Sequence, residues 1–566
     1  MRGWFSDRAT DCAILLAVAA ALTLPNLGGP SLWDVDEGVN AEAAREMQES
    51  GTWVIPTFNR ELRTAKPVML YWLQKVSYAA FGVSEWSARL PSVLAGWLTI
   101  LLTYELARRL FGRPTGLLAG VVLATAIEFC ALSHAATPDA TLLLFTVLTY
   151  TVFWFGHENG GRWWWVPTGA AAGLAVLTKG LVGLALPGLV VLLYFAWNRE
   201  LGRLLDRRLL WGLAAGLMVA GPWYGLVASE TRGVWVKEFF LNEHLRRART
   251  PMEDHGGTIF YHAAALLVLF APWSVFVGGA LWSGVKGCWR GALPAASVAP
   301  GLRPYRFLIC WFGSYLVFFS LVSTKLPNYV LPLYPALAIL TARFLVRWHT
   351  GELTLPRWLM PAGVAGMAVI GVVTAAGLLV AGGVGGVLPP KARVFPGLER
   401  WAAFGLVPLA GAALMGWLLQ TGRRREFVAV TAATAVGFVG LLAAFPAAEM
   451  DRYKAPRDLV RTTGVADPTR DLRLGGYDWF QPSVVFYSQR EVTKLASPEK
   501  AAAFLAVPSP PGYLFIPEPT WTRWVEDKVV GPHHVAARHY DFYRNCDVLV
   551  IVNTAGTDQA RARDGR

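Results

Sequence analysis

The chain has 566 residues, 54% of them hydrophobic and only 16% charged, with a formal charge of +13 and a mean hydropathy of +0.39. A soluble chain carries about a quarter charged residues, so this composition excludes an ordinary soluble enzyme and predicts an α-helical polytopic membrane protein. The positive charge calls for no nucleic acid, because most of the basic residues fall in short loops between apolar runs, where they set orientation.

In chain order, the first apolar run, 12–27, reads as a short retained helix. No small-x-small cleavage site follows it, and Pro25 and Asn26 look like a membrane exit rather than the end of a signal peptide. Twelve further spans are predicted, near 88–107, 114–133, 138–156, 163–178, 180–197, 208–228, 259–280, 305–323, 328–346, 358–384, 402–420 and 426–446. After Pro446 the pattern becomes mixed polar and apolar. The division expected is a transmembrane domain over 1–450 and a soluble α/β domain over 451–566. Within the tail, "LRLGGYDW", "SVVFYSQ", "GYLFIPE" and "DVLVIVN" read as strands, alternating with helical stretches such as "SPEKAAAFLAV". The five cysteines are scattered, with no spacing that suggests a metal cage or a disulfide framework.

Arg108, Arg109, Arg113, Arg199, Arg203, Arg207, Arg208, Arg347, Arg357, Arg423, Arg424 and Arg425 crowd the short loops of one side. The positive-inside rule makes that side cytoplasmic. Three long segments, 28–87, 229–258 and 385–401, then face outward, as does the tail: into the periplasm in a bacterium, into the ER lumen in a eukaryote.

The polar groups that look like chemistry share this outer side. "SLWDVDEGVNAEAAREM", 31–47, packs Asp34, Asp36, Glu37, Glu42 and Glu46 against the first span. Asp34 and Glu37 have the spacing of Ncap and N3, so one reading is a helix start. The other makes Asp36 a general base or an electrostatic anchor. Lys66 precedes Pro67 and an apolar-aromatic stretch, which admits a snorkelling lysine. But Lys179, Lys325, Arg246, Arg247 and Arg249 are expected on the same side, and several cations on one face can hold a phosphate. Asp139 follows Pro138 at a span start, as a helix-start carboxylate or as a second site acid. His244, beside Glu243, is a hydrogen-bonding residue or a ligand of a divalent metal; the sequence names no certain cofactor. The chain has no Walker motif and no G-x-G-x-x-G after a strand, so a phosphate-headed lipid fits better as activated donor than a nucleotide.

Taken together, an N-terminal span, an outer-loop "DE", "AKPVMLYW", "TPD", "LTKG" and above all "KLPNYVLPLYPALA" resemble the lipid A aminoarabinose transferases of bacteria, over roughly residues 31–335. These are membrane glycosyltransferases of the GT-C fold, related to protein O-mannosyltransferases. The resemblance implies transfer of a sugar from an undecaprenyl-phosphate-type carrier to lipid A or a related glycolipid acceptor outside the inner membrane. It assigns Asp36 and Glu37 to the family's first-loop acids. Asp139 and Lys179 match its later acid and lysine, Lys66 the lysine of its E-K-P segment, and Tyr329 the tyrosine of its K-L-P-x-Y segment. His244 and Arg246 fall where it has basic phosphate-contacting residues, and Lys325 is expected to join them through the cation set above. The chain departs from the pattern at Ala65, where the family usually has glutamate. Competing readings are a flippase or transporter of a polyprenyl-linked substrate, a transferase of another sugar to glycan or protein, and a polysaccharide ligase-like enzyme. A transporter should show an internal repeat with broken helices in matching halves, and none is visible.

Overall fold

The computed structural model describes residues 2–158, 160, 163–246, 256–289, 301–389, 392–527 and 533–553. Most of the chain up to Met450 is helical. Ten helices in chain order carry the first half: α1 (Arg2–Thr23), α2 (Asp36–Glu49), α3 (Met69–Phe81), α4 (Glu85–Phe111), α5 (Arg113–Ala124), α6 (Ile127–His134), α7 (Pro138–Glu158), α8 (Trp165–Lys179), α9 (Val182–Trp197) and α10 (Arg208–Glu230).

Local chemistry sets several ends. Ser84 and Ser87 form a reciprocal capping box at the start of α4, and Arg108 and Arg109 sit in its last turn, where the helix dipole favours cations. Pro138 opens α7, where its missing N–H costs nothing.

Among the described residues, eight helices are long and apolar enough to cross a membrane, and two bent pairs bring the number to ten. The thirteen spans expected from sequence all fall on helices. The three beyond those ten are α1, which carries Asp7, Arg8 and Asp11, and the short α8 and α9. The span expected at 259–280 is broken in two: Tyr261–Leu269 and Trp273–Trp289 meet at 116° around Pro272. Proline supplies no N–H to carry a helix through that point. A second break, of 63°, separates α5 from α6. The helix Tyr334–His349 is buried along almost its whole length and forms the centre of the bundle. The helix Leu359–Ala381 exposes most of its apolar surface, as a lipid-facing helix does.

The tail is a small α/β unit. Its sheet has the order β4-β3-β5-β7-β6, from β3 (Arg473–Tyr477), β4 (Val492–Leu495), β5 (Gly512–Pro517), β6 (His534–Asp541) and β7 (Cys546–Val552). The first three pair in parallel and the last two join antiparallel. "SVVFYSQ" is not a strand: Pro482–Ser488 is a helix. A short apolar run does not distinguish strand from helix, and Pro482 at its start favours the helix.

The tail lies on the first outer segment. Asp34 accepts from the Ser483 backbone N–H at 2.9 Å and from the Ser483 hydroxyl, at the start of the helix Pro482–Ser488. Gly38 makes this approach feasible, since a Cβ there would lie 2.7 Å from the Ser483 nitrogen. Ser31 donates through N–H (2.7 Å) and hydroxyl (2.5 Å) to Asp451, while Lys454 donates to the Ser31 carbonyl at 2.6 Å. A hairpin of β1 (Thr57–Phe58) and β2 (Glu61–Leu62) turns at Asn59 and Arg60, both at positive φ. Asn59 at its tip exchanges two hydrogen bonds with the backbone of Val492 on edge strand β4. Segment 28–87 and the tail therefore share one side of the molecule.

Candidate functional site

The acidic run divides by role. Glu37 is buried and binds the Arg89 guanidinium through both oxygens, at 2.9 and 2.7 Å. It also accepts from the backbone N–H groups of Ala136 (2.7 Å) and Trp33 (2.8 Å). Burial pushes its carboxyl upward, but Arg89 and the two N–H donors outweigh that and hold it below the usual range. Four donors occupy this carboxylate, so in the folded chain it ties α2 to α4 and to the turn before α7.

Asp34 does not cap α2. The residue before the helix is Val35, with no side-chain cap bond, and Asp34 binds the tail instead. Burial there raises its pKa to about 7, against the Ser483 hydrogen bonds and the Lys454 charge. Glu42 is locked bidentate to Arg45 at 2.7 Å, and Glu46 accepts from the Thr57 hydroxyl (2.5 Å) and the Arg60 N–H (3.1 Å). Asp36, by contrast, is exposed in the first turn of α2, within electrostatic reach of Lys179.

Lys179, at the end of α8, donates to Asp139, at the start of α7, at 2.5 Å. Asp139 is buried, also receives a hydrogen bond from Asn328, and feels the charge of half-buried Lys66. The Tyr329 ring lies 5.8 Å from the Lys179 ammonium and 5.2 Å from the Phe319 ring. Thus Asp36, Lys66, Asp139, Lys179 and Tyr329 come together from five separate segments, joined by Asn328.

Three residues outside the sequence reading hold them there. Arg63 donates to the Tyr71 hydroxyl at 2.7 Å and to Asn40 at 3.2 Å, and Asn40 donates to the Ala136 carbonyl at 3.2 Å. This chain links α2, the strand of residues before Lys66 and the turn before Asp139. Asn328 had a visible signal, being a polar residue inside the most specific motif. Tyr71 likewise lies in the motif "AKPVMLYW" and Arg63 just before it, whereas Asn40 had no signal, and the meeting of the three is purely tertiary.

Lys325 stands apart. Its ammonium donates to the carbonyls of Phe319 (3.0 Å) and Ser320 (2.6 Å), closing the end of the helix Leu302–Leu321. Gly257 packs on its stem, where a Cβ would lie 3.0 Å from Lys325 Cγ. Two of the three N–H groups are thereby committed to backbone. Arg246 is exposed at the end of the π-helical turn Phe239–Arg246. The His244 side chain, Arg247 and Arg249 lie outside the described residues. No group of three or more metal-ligating side chains occurs among the described residues.

A cavity of about 290 Å³ opens beside the Glu37–Arg89 pair, lined mainly by apolar side chains such as Ile127, Ala131, Val439 and Leu442. Its mainly apolar lining suits an apolar group.

The fold and motifs have counterparts. Residues 65–224 match the family described as "Dolichyl-phosphate-mannose-protein mannosyltransferase". The undecaprenyl phosphate-alpha-4-amino-4-deoxy-L-arabinose arabinosyl transferase of Erwinia tasmaniensis is 32% identical over 320 residues, 55% of each chain. That of Pseudomonas aeruginosa is 33% identical over 347 residues, 60% of each chain. The matched stretch thus spans 55% to 60% of the length of these curated relatives. In structure, ArnT from Cupriavidus metallidurans bound to undecaprenyl phosphate superposes with a TM-score of 0.76 at 27% identity, covering 98% of both chains. The apo oligosaccharyltransferase of Archaeoglobus fulgidus matches in fold alone, with a TM-score of 0.51 at 12% identity over 92% of this chain and 68% of its own.

A helical membrane bundle carrying its polar cluster under long loops, with a small α/β tail, is the GT-C architecture of membrane glycosyltransferases. Within that class the chain is ArnT-like in both sequence and fold.

Proposed function

We propose that this chain is an integral inner-membrane glycosyltransferase whose site and tail face the periplasm. It moves a sugar, of the 4-amino-4-deoxy-L-arabinose class, from an undecaprenyl-phosphate-type carrier to lipid A or a related acceptor. The observation that carries the reading is the convergence of Asp36, Lys66, Asp139, Lys179 and Tyr329 beneath the first outer loop, in a chain ArnT-like over its full length.

In this reading the bond between the sugar's anomeric carbon and the carrier's phosphate oxygen breaks, and its electron pair leaves with the phosphate. An acceptor oxygen attacks from the opposite face and forms the new bond. Lys66 and Arg246 meet the charge that grows on the departing phosphate, and such stabilisation is usually the largest contribution to rate. Lys179 is already neutralised by Asp139, so that pair orients the site rather than adding net charge. Asp36, exposed at the mouth, takes the acceptor's proton or, where the acceptor is itself a phosphate, orients it.

Asp36→Asn removes the charge and keeps the shape. It should lower turnover about 100-fold or more, with membrane abundance and donor binding intact. Lys66→Ala should chiefly weaken donor binding. Both are measured with purified protein and a polyprenyl-phosphate sugar. Parental turnover in Asp36→Asn would defeat the assignment.

A further inference from the structure

Glu128 belongs to none of the roles above. It lies in the first turn of α6, just after the 63° break from α5, and is buried within the bundle. About nine ångströms of helix separate it from the outer end at His134. A carboxylate at that depth costs a few kcal/mol (roughly 2.5–3.5) unless something receives it. Other deeply buried carboxylates of the helical part are received: Glu37 by Arg89, Glu42 by Arg45, Asp11 by Arg113 and Asp139 by Lys179, and Glu46 by the Thr57 hydroxyl and the Arg60 N–H.

The groups that face Glu128 are the Tyr334 hydroxyl, the Asp139 carboxylate and the Tyr261 phenol, with no lysine or arginine among them. Among the described residues the Tyr334 hydroxyl is the one hydrogen-bonding group that reaches Glu128, and no charged donor completes the carboxylate. The buried hydroxyls of Thr137 and Thr141, which flank Asp139, meet no partner among the described residues. Orphaned buried polar groups are rare in native proteins and call for an explanation. Here they gather around one carboxylate pair, Glu128 and Asp139, that shares a single closely bound cation, Lys179. With both carboxylates ionised, this end of the site lacks one positive charge, so an ionised Glu128 calls for an incoming cation.

We infer that Glu128, with Tyr334, receives a cationic substituent of the transferred sugar, making it a specificity-determining residue. This rests on the glycosyltransferase reading above and adds to it which group distinguishes an amino sugar from its hydroxyl counterpart. A protonated amine would pair with Glu128, accept the Tyr334 oxygen as a neighbour and supply the missing charge. A hydroxyl at the same place could hydrogen-bond but would leave the two carboxylates facing one cation.

The test uses the full-length chain in detergent or nanodiscs with two donors, polyprenyl-phosphate 4-amino-4-deoxypentose and the same pentose bearing a 4-hydroxyl. The parent should prefer the amino donor. Glu128→Gln should lower kcat/KM for the amino donor at least about tenfold, the size expected when a hydrogen bond to a charged group is lost. It should leave the hydroxyl donor nearly unchanged. Tyr334→Phe should move in the same direction by less. Equal loss on both donors, an unchanged preference, or a parent without preference would overturn the inference. If the amide does not fold, Glu128→Asp keeps the charge but shortens its reach, and a selective loss on the amino donor is still required. A parent that transfers neither sugar would instead overturn the proposed function.

Discussion

Asp34, Asp36 and Glu37 sit within four residues and do three different things, because three different surfaces meet that turn. Glu37 faces inward to Arg89, Asp34 faces the tail, and Asp36 faces the site. Asp34 also makes the contact with the tail depend on pH. Its folded pKa of about 7 lies above the ordinary value of 3.8. The folded form therefore binds more protons between those values, and stability falls as pH rises across them. The contribution is full below 3.8 and is lost as the pH passes through about 7. The protection factors of the helix Pro482–Ser488, which correct exchange for its intrinsic base-catalysed rate, should consequently be higher at pH 5 than at pH 8. In Asp34→Asn that difference should vanish; a pH dependence that survives the substitution would have another source.

Among the elements, the helix Leu302–Leu321 shows how a residue expected in a binding site can belong to a helix end. Lys325 satisfies two of its terminal carbonyls and carries positive charge where the dipole is negative. Lys325→Met should cost about 1–2 kcal/mol of stability, visible as a lower Tm, while donor affinity stays at the parental level. A parental Tm with weakened donor binding would return Lys325 to the phosphate site. The hairpin β1–β2 is a second such element. Its Asn-Arg turn lacks the usual glycine, so nothing in the local sequence announces it. It is held by Asn59 reaching the edge of the tail's sheet, a contact that also covers part of an exposed strand edge.

For the whole molecule, the tail and the first outer segment act as one body through Asp34, Ser31, Asn59 and their partners. A chain ending after Met450 should insert but leave the first segment loosened. Limited proteolysis should cut between residues 50 and 65 faster than in the parent, and transfer to the native acceptor should fall. Undiminished transfer would show that the tail has no part in acceptor access. Reporter fusions after Asn40 and after Gly475 address sidedness: both should be active only if exported. A cytoplasmic signal from either would reverse the proposed orientation.

The membrane class, the position of most spans and the α/β character of the tail could be read from the sequence, because hydropathy and turn residues act locally along the chain. The expectation for Asp139 and Lys179 rests on ionisable residues at span ends, where a charge is costly, and that for Asp36, Lys66 and Tyr329 also on the family resemblance. The breaks at Pro272 and before Ile127 were less legible, since an apolar run reads the same whether straight or bent. What only the tertiary structure decided was pairing: that Glu37 belongs to Arg89 and Asp34 to Ser483, and that among the described residues no lysine or arginine faces Glu128. Partners 50 to 450 residues away leave no periodicity in the sequence. Which carboxylate stays available for chemistry is settled only when folding has supplied the others with their counter-charges.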